Sequence, residues 1–172
     1  DGVAVWDALR RVRRDIVFFA NADALRVNPG FSDVLIPVEW VLDKRSPAKT
    51  RETLRLAKEA FAEEKCVVIF PSGQLAKKID GVLTEQDWRP TVVSLARKHK
   101  APVQPLNLQA ANSWLYYFFS KVNGELRDIT LFHELLNKHG SSFEMTFGPL
   151  IDPERFEGDA NAHTLALREY VA

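Results

Sequence analysis

The spacing of apolar residues predicts a chain that alternates between helices and strands. Val3, Trp6, Leu9 and Val12 recur at helical intervals, and the arginines around them suit the carboxyl end of a helix. Three continuous apolar runs are typical of strands and lie at residues 16–20, 34–38 and 66–70. The first half of the chain therefore reads as helix, strand, strand, helix, strand.

The helix before the third strand carries a clear start signal. Ser46 followed by Pro47 predicts an N-cap and a first helical residue. Leu54, Ala57 and Phe61 then recur at helical spacing and mark the predicted buried face. A helix that leads directly into an apolar strand is typical of proteins with parallel sheets.

The second half of the chain continues this alternation. Residues 76–86 are polar and rich in turn residues, and Asp87 is predicted to cap a helix that runs to about residue 98. The remaining predicted elements are a strand at 102–108, helices at 112–122 and 128–139, an edge strand at 143–147 and a helix from 161 onward. The fold class that follows is α/β: a layered domain with a largely parallel central sheet flanked by helices.

Size and composition limit the classes of function. With 172 residues, 46% of them hydrophobic, residues 1–172 are predicted to form a single domain, and we expect it to be cut from a longer protein at both ends. Lys plus Arg balance Asp plus Glu at 23 each, so no overall field favours nucleic acid. Cys66 reads as a buried apolar residue, and no apolar run is long enough to span a bilayer.

The candidate chemistry lies in the turn after the third apolar run, Phe70-Pro71-Ser72-Gly73. Ligand sites of α/β proteins lie at the carboxyl ends of strands, and a small-residue turn directs backbone N–H groups toward a ligand. The glycine-rich nucleotide motifs and the hydrolase nucleophile elbow are missing from the sequence, and the four histidines have no metal-ligand spacing. Ser72 as a hydrolytic nucleophile stays open as an alternative.

Three segments together resemble the glycerolipid acyltransferase family, and within it the bacterial hemolysin-like branch. Phe70-Pro71-Ser72-Gly73 is similar to the Phe-Pro-Glu-Gly block of that family. Asp43-Lys44-Arg45 resembles the upstream block whose arginine helps to hold the acceptor phosphate. Ala101-Pro102-Val103-Gln104-Pro105-Leu106 is similar to the block that supports the site from the next strand. The order and spacing of the three blocks agree with the family over roughly residues 1–152.

The catalytic signature of this family is His-x-x-x-x-Asp, in which the histidine is a general base and the aspartate orients it. None of the four histidines here has an aspartate five positions later. Asp1-Gly2, followed at once by a helix, resembles the end of that motif. The resemblance thus implies Asp1 as a catalytic residue, with its partner histidine expected upstream of the chain.

The resemblance implies O-acyl transfer from acyl-CoA or acyl carrier protein to the hydroxyl of a lysophospholipid or a related glycerolipid or amino-lipid. The acyl donor and the lyso-lipid are then partners, and no cofactor is expected. The implied substrate-binding residues are Lys44, Arg45, Phe70, Pro71, Ser72, Gly73, Gln74 and Asn112. Backbone N–H groups of residues 72–74 are candidate donors to the oxyanion of the tetrahedral intermediate.

Two further segments bear on location and substrate. The aromatic run 114–119 is consistent with an acyl groove, a membrane interface or a buried helix. Arg10, Arg11, Arg13 and Arg14 form a local basic patch, so we expect a cytoplasmic protein in peripheral contact with the anionic inner face of the cell membrane. Ser72 stands where the family usually has Glu, which leaves the acceptor head group open. A catalytically silent lipid-binding or scaffold domain is the alternative function.

Overall fold

The computed structural model describes residues 2–39, 43, 46–122 and 124–171. Its helices are α1 (Gly2–Leu9), α2 (Ala24–Val27), α3 (Pro47–Ala62), α4 (Thr91–His99), α5 (Trp114–Val122), α6 (Gly124–Asn137) and α7 (Ala160–Val171). Its strands are β1 (Ile16–Asn21), β2 (Leu35–Val38), β3 (Cys66–Val68), β4 (Lys77–Ile79), β5 (Val82–Thr84), β6 (Leu106–Gln109) and β7 (Glu144–Phe147). Short 3-10 helices cover Pro29–Asp33 and Pro153–Phe156.

A parallel three-stranded sheet forms the centre of the first half, in the order β2-β1-β3. Phe18 pairs with Leu35 on one side of β1 and with Val68 on the other. Both neighbours run parallel to β1, so their carboxyl ends lie at the same edge of the sheet. The predicted α/β class with a parallel sheet is confirmed for these strands.

Both faces of this sheet are buried, because successive side chains of β1 point to opposite faces. Val17 packs with Ile36 of β2 and with Ala57 and Ala60 of α3. Ile16 and Phe18 point to the opposite face, where a second cluster includes Val5 of α1 and strand residues from β6 and β7. This alternation follows from the two-residue period of a strand. The helices α1 and α3 therefore flank the sheet on its two faces.

The start of α3 confirms its predicted cap. The Ser46 hydroxyl oxygen accepts the backbone N–H of Lys49 at 3.3 Å, and Pro47 is the first helical residue. The predicted buried face is only partly correct, because Leu54 is 51% exposed while Ala57 and Ala60 are buried. Residues 66–70 also differ from the prediction of a fully covered strand. The strand ends at Val68, its residues are half-buried, and Phe70 is exposed.

A separate core joins the later helices. Val93 and Ala96 of α4 pack against Phe156 and Leu167 of α7, and Trp88 borders this cluster. The predicted Asp87 cap is wrong, because α4 begins at Thr91 after Pro90 and has no side-chain cap. Asp87 instead accepts a hydrogen bond from Arg168 of α7 at 3.0 Å. The Asp87 carboxylate, which the local sequence predicted as a helix cap, therefore binds a side chain that is distant in the sequence.

The other strand pairs are antiparallel. β4 and β5 form a hairpin within residues 76–86, where the sequence predicts a polar, turn-rich segment and no strand. Asp80 and Gly81 both have positive φ, as a two-residue hairpin turn requires. β6 pairs with β7, which confirms the strand predicted at 143–147 over Glu144–Phe147. Within the described residues, no helix is both long enough and apolar enough to cross a membrane.

Candidate functional site

The Phe70-Pro71-Ser72-Gly73 block forms a tight turn two residues beyond the end of β3. The Gly73 N–H donates to the Phe70 carbonyl oxygen at 3.0 Å, and Gly73 has φ of 62°. Glycine adopts this left-handed conformation without the steric cost of a side chain. The Pro71 carbonyl oxygen accepts the Arg89 N–H at 3.1 Å, which ties the turn to the segment that leads into α4.

Ser72 holds the interior of this turn. Its side chain is buried, with 4% exposure for the residue. The hydroxyl donates to the Gln74 carbonyl oxygen at 3.0 Å and accepts the Gln74 N–H at 3.4 Å. A hydroxyl that is buried and bonded to its own loop is poorly placed to attack an ester, so the geometry disfavours the Ser72 hydrolase. The N–H groups of Gly73 and Gln74, two of the predicted oxyanion donors, are also used within the turn.

An apolar cavity of about 220 Å³ opens beside the turn, at the carboxyl edge of the parallel sheet. Phe70 and Pro71 form one wall, and Arg89 lies at its border. The other lining residues come from β1 and β2 (Phe19, Val38), from the residue after β3 (Ile69), from α3 (Thr53, Leu54, Ala57) and from α4 (Thr91, Leu95). The cavity thus lies where the strand ends, α3 and α4 meet, which is where α/β proteins bind ligands.

The amino-terminal end of α1 lies close to the same turn. A Cβ atom added at Gly2 would stand 4.0 Å from Cε2 of Phe70. The fold therefore brings the start of the described chain to the predicted substrate-binding block. Asp1, Lys44 and Arg45 lie outside the described residues, and Asp43 is exposed. The roles predicted for these residues stay predictions.

The third block that resembles the family, residues 101–106, connects the core between α4 and α7 to β6. Val103 pairs with Ile151, and the Pro105 carbonyl oxygen accepts the Gly148 N–H at 2.9 Å. Leu106 and Leu108 then pack in the cluster that contains Cys66 and Val68 of β3. Leu106 of this block therefore packs against β3 on the face of the sheet that α1 covers. Burial raises the pKa of the Cys66 thiol, in agreement with its assignment as an apolar residue.

Asn112 lies in the loop before α5, and a buried polar network fixes that loop. The Asn112 N–H donates to the Tyr117 hydroxyl at 3.2 Å. The next residue, Ser113, donates its N–H to the Glu134 carboxylate at 2.7 Å and donates its hydroxyl to the same carboxylate. The Lys138 ammonium stands 3.6 Å from that carboxylate. Asn112 does not line the cavity beside Phe70.

Glu134 is the charged group at the centre of this network. Burial alone would raise the pKa of the Glu134 carboxyl, but the two hydrogen bonds from Ser113 and the charge of Lys138 outweigh it. The net result is a pKa below the usual glutamate value, so the buried side chain is ionised at neutral pH. Sequence reasoning missed Glu134, because nothing local distinguishes it from other acids on α6.

Sequence reasoning also missed Arg89 and Thr53 at the cavity. Arg89 lies two residues before α4, which begins at Thr91. The sequence signal for it was a charged residue just before a predicted helix. Thr53 looked like an ordinary helix residue, yet its hydroxyl donates to the Pro37 carbonyl oxygen at 2.6 Å. That bond links α3 to β2 beside the cavity. Within the described chain, no group of three or more His, Cys, Asp or Glu side chains could hold a metal ion.

The predicted basic patch after α1 is partly neutralised by its own neighbours. Arg10 and Arg11 both pair with Asp7, at 2.7 and 3.1 Å. Arg13 pairs with Asp15, and its hydrogen bond lowers the pKa of the Asp15 carboxyl to about 2. Local ion pairs use three of the four arginines, which weakens the case for this cluster as a membrane contact.

Comparison with known proteins adds independent information. A family model described as "Acyltransferase" matches residues 1–109. Two curated relatives are both named lyso-glycine lipid O-acyltransferase: one from Phocaeicola vulgatus is 22% identical, and one from Bacteroides thetaiotaomicron is 21% identical. Each alignment covers 91% of this chain, and the chain spans 57% and 58% of the length of these relatives. No solved structure matches the chain significantly.

Proposed function

Because the chain belongs to the acyltransferase family, we propose that the full-length protein is an O-acyltransferase that moves a fatty acyl group to the hydroxyl of a lyso-lipid. The donor in this proposal is a thioester, either acyl-CoA or acyl carrier protein. The observation that carries it is the apolar cavity beside Phe70 and Pro71, which lies within the matched residues. An acyl chain needs an apolar channel that ends at a polar reaction centre.

The proposed chemistry is general-base catalysis by a histidine and Asp1. In this mechanism a histidine, which the family signature places five positions before Asp1, removes the proton of the acceptor hydroxyl as its oxygen attacks the thioester carbonyl. The new C–O bond forms, the C–S bond breaks, and the histidine returns the proton to the departing thiolate. Asp1 would hold the imidazole in the correct tautomer and stabilise its charged form. The proximity of Gly2 to Phe70 supports this arrangement.

The acceptor in this proposal is a lyso-amino-lipid rather than lysophosphatidic acid. Two observations support that choice: Ser72 replaces the glutamate that is usual in the Phe-Pro-Glu-Gly block, and both curated relatives carry the name lyso-glycine lipid O-acyltransferase. Ser72 is turned into its own loop, so it cannot make the contact that a glutamate at this place would make. Lys44 and Arg45 are proposed to bind an anionic head group.

An acceptor panel tests the proposal directly. The full-length protein is incubated with acyl-CoA, or with acyl carrier protein loaded with the same chain, and either a lyso-glycine lipid, lysophosphatidic acid or lysophosphatidylethanolamine. Mass spectrometry is expected to find the diacylated glycine lipid and one free thiol per product. Binding of lyso-lipid without any product would support the silent lipid-binding domain. Preferential acylation of lysophosphatidic acid would contradict the proposed acceptor.

A further inference from the structure

One face of α5 is exposed and apolar. Trp114, Phe118 and Val122 follow one another at four-residue intervals, so they lie on the same face of the helix. They are 72%, 44% and 65% exposed, and the rings of Trp114 and Phe118 stack at 5.2 Å. We call these three residues the Trp114 strip. Soluble proteins seldom leave aromatic residues grouped in this way unless a partner covers them.

The rest of α5 is anchored in the protein. Tyr116 and Tyr117 are buried, and the Tyr117 hydroxyl is held by the Asn112 N–H. Turning the helix to bury the Trp114 strip would expose both tyrosines and break that bond. The strip therefore faces outward because of how α5 is anchored, and the aromatic run 114–119 divides into a buried face and an exposed face.

Positive charge flanks the Trp114 strip. Lys121 is exposed and lies three residues after Phe118, so the two side chains are neighbours on the helix surface. Lys78 of the β4–β5 hairpin places its Nζ 4.8 Å from the ring centre of Tyr117, which lies three residues after Trp114 and so borders the strip on the helix surface. Apolar aromatic residues with lysines beside them suit the boundary between headgroups and acyl chains of an anionic bilayer.

We propose that the Trp114 strip, with Lys78 and Lys121, docks the protein on an anionic lipid surface. A second copy of the chain suits this face less well. Each aromatic side chain buries at most about 150–250 Å². The area that the three side chains can bury is therefore smaller than the roughly 800 Å² per partner of a stable dimer. A symmetric contact here would also bring the lysines of both copies together. This inference concerns binding alone and does not depend on the acyl-transfer reaction.

A fluorescent probe on the strip reports its environment. In the full-length protein with other reactive cysteines replaced, Cys66→Ala included, a nitrobenzoxadiazole label is attached at Phe118→Cys. The matched control carries the label at Leu165→Cys on α7, where the native side chain is 58% exposed. With vesicles of phosphatidylglycerol and phosphatidylcholine, the label at position 118 is expected to shift to shorter wavelength and brighten, while the label at position 165 stays unchanged.

Substitutions then separate the two parts of the surface. Trp114→Ser is expected to weaken vesicle partitioning at least about tenfold, whereas Leu165→Ser leaves it unchanged. Lys121→Gln is expected to weaken it about fivefold, and added salt should reduce that difference. An unchanged spectrum at position 118, or equal shifts at both positions, would overturn the proposal. A shift that grows with protein concentration without vesicles would do the same, because a second copy would then cover the strip.

Discussion

Replacing Glu134 by alanine is expected to lower the free energy of unfolding by about 3 kcal/mol. The residue is 5% exposed, and its carboxylate accepts two hydrogen bonds from Ser113. Hydrogen bonds to a charged acceptor contribute roughly 1.5–3 kcal/mol each, and Lys138 adds a smaller amount because it is partly solvated. The alanine variant leaves the Ser113 N–H without its acceptor at the start of α5.

Thermal and urea unfolding measure this effect. For a domain of this size, a loss of about 3 kcal/mol corresponds to a melting temperature roughly 6–12 °C lower. Glu134→Gln keeps the shape and one acceptor oxygen, so an intermediate loss of about 1–2 kcal/mol is expected. Glu169→Ala, on the exposed surface of α7, is the matched control and should change the free energy of unfolding by less than about 0.5 kcal/mol.

The pH dependence of this difference gives a second check. The folded protein lowers the pKa of the Glu134 carboxyl, so the stabilisation is fully present above the unfolded pKa of about 4.3. It is lost as the pH falls through the lower, folded pKa. The gap between wild type and Glu134→Ala should therefore be present at pH 7 and narrow in acidic buffer below about pH 4.3. A loss below about 1 kcal/mol at pH 7, or an equal loss in Glu169→Ala, would refute the network as described.

Three further predictions follow from single contacts. Ser72→Ala should lower the free energy of unfolding by about 1 kcal/mol and leave acyl transfer measurable, because the hydroxyl only bridges to Gln74; complete loss of turnover in a well-folded variant would restore Ser72 as a nucleophile. Leu54→Trp should fill the cavity and so reduce turnover of long-chain donors at least about tenfold, whereas Leu165→Trp, the control, should not. An unchanged preference for donor chain length in Leu54→Trp would show that the acyl chain does not bind in the cavity. His99 stacks on Phe61 with ring centres 4.3 Å apart, and its burial, with the charges of Lys98 and Lys58, lowers its pKa. The folded state therefore resists protonation of His99. The free energy of unfolding should be highest above about pH 6.5 and should fall as the pH drops through the folded pKa. Comparing His99→Phe with wild type by unfolding at pH 5.5 and 7.5 measures that effect, and an NMR pKa at or above 6.5 would contradict it.

The parts of the fold that sequence reasoning predicted are those with local causes. β1 is a continuous apolar run, and α3 carries its own cap in Ser46 and Pro47, so both were correctly placed. The start of α4 was misplaced because Asp87 pairs with Arg168, which is 81 positions away in the chain. The β4–β5 hairpin was missed although Asp80-Gly81 is a typical hairpin turn, because its strands are short and exposed.

The candidate site was predictable only where its residues form a linear motif. The turn at 70–73 was found because a strand end and small residues coincide. The cavity could not be found in this way, since Thr53, Ile69 and Arg89 meet only through the packing of α3 and α4 at the sheet edge. Glu134 was equally hidden, because its burial depends on the contact between α5 and α6.

The central claim is acyl transfer by a base that Asp1 orients, and the turnover number of Asp1→Asn in the full-length protein tests it most directly. Asp80→Asn is the matched control, because Asp80 is exposed in the hairpin turn and asparagine tolerates its positive φ. We predict that Asp1→Asn loses acyl transfer by about 10²–10⁴-fold with an unchanged melting temperature, while Asp80→Asn retains it. Equal turnover in Asp1→Asn and wild type would contradict the proposed mechanism.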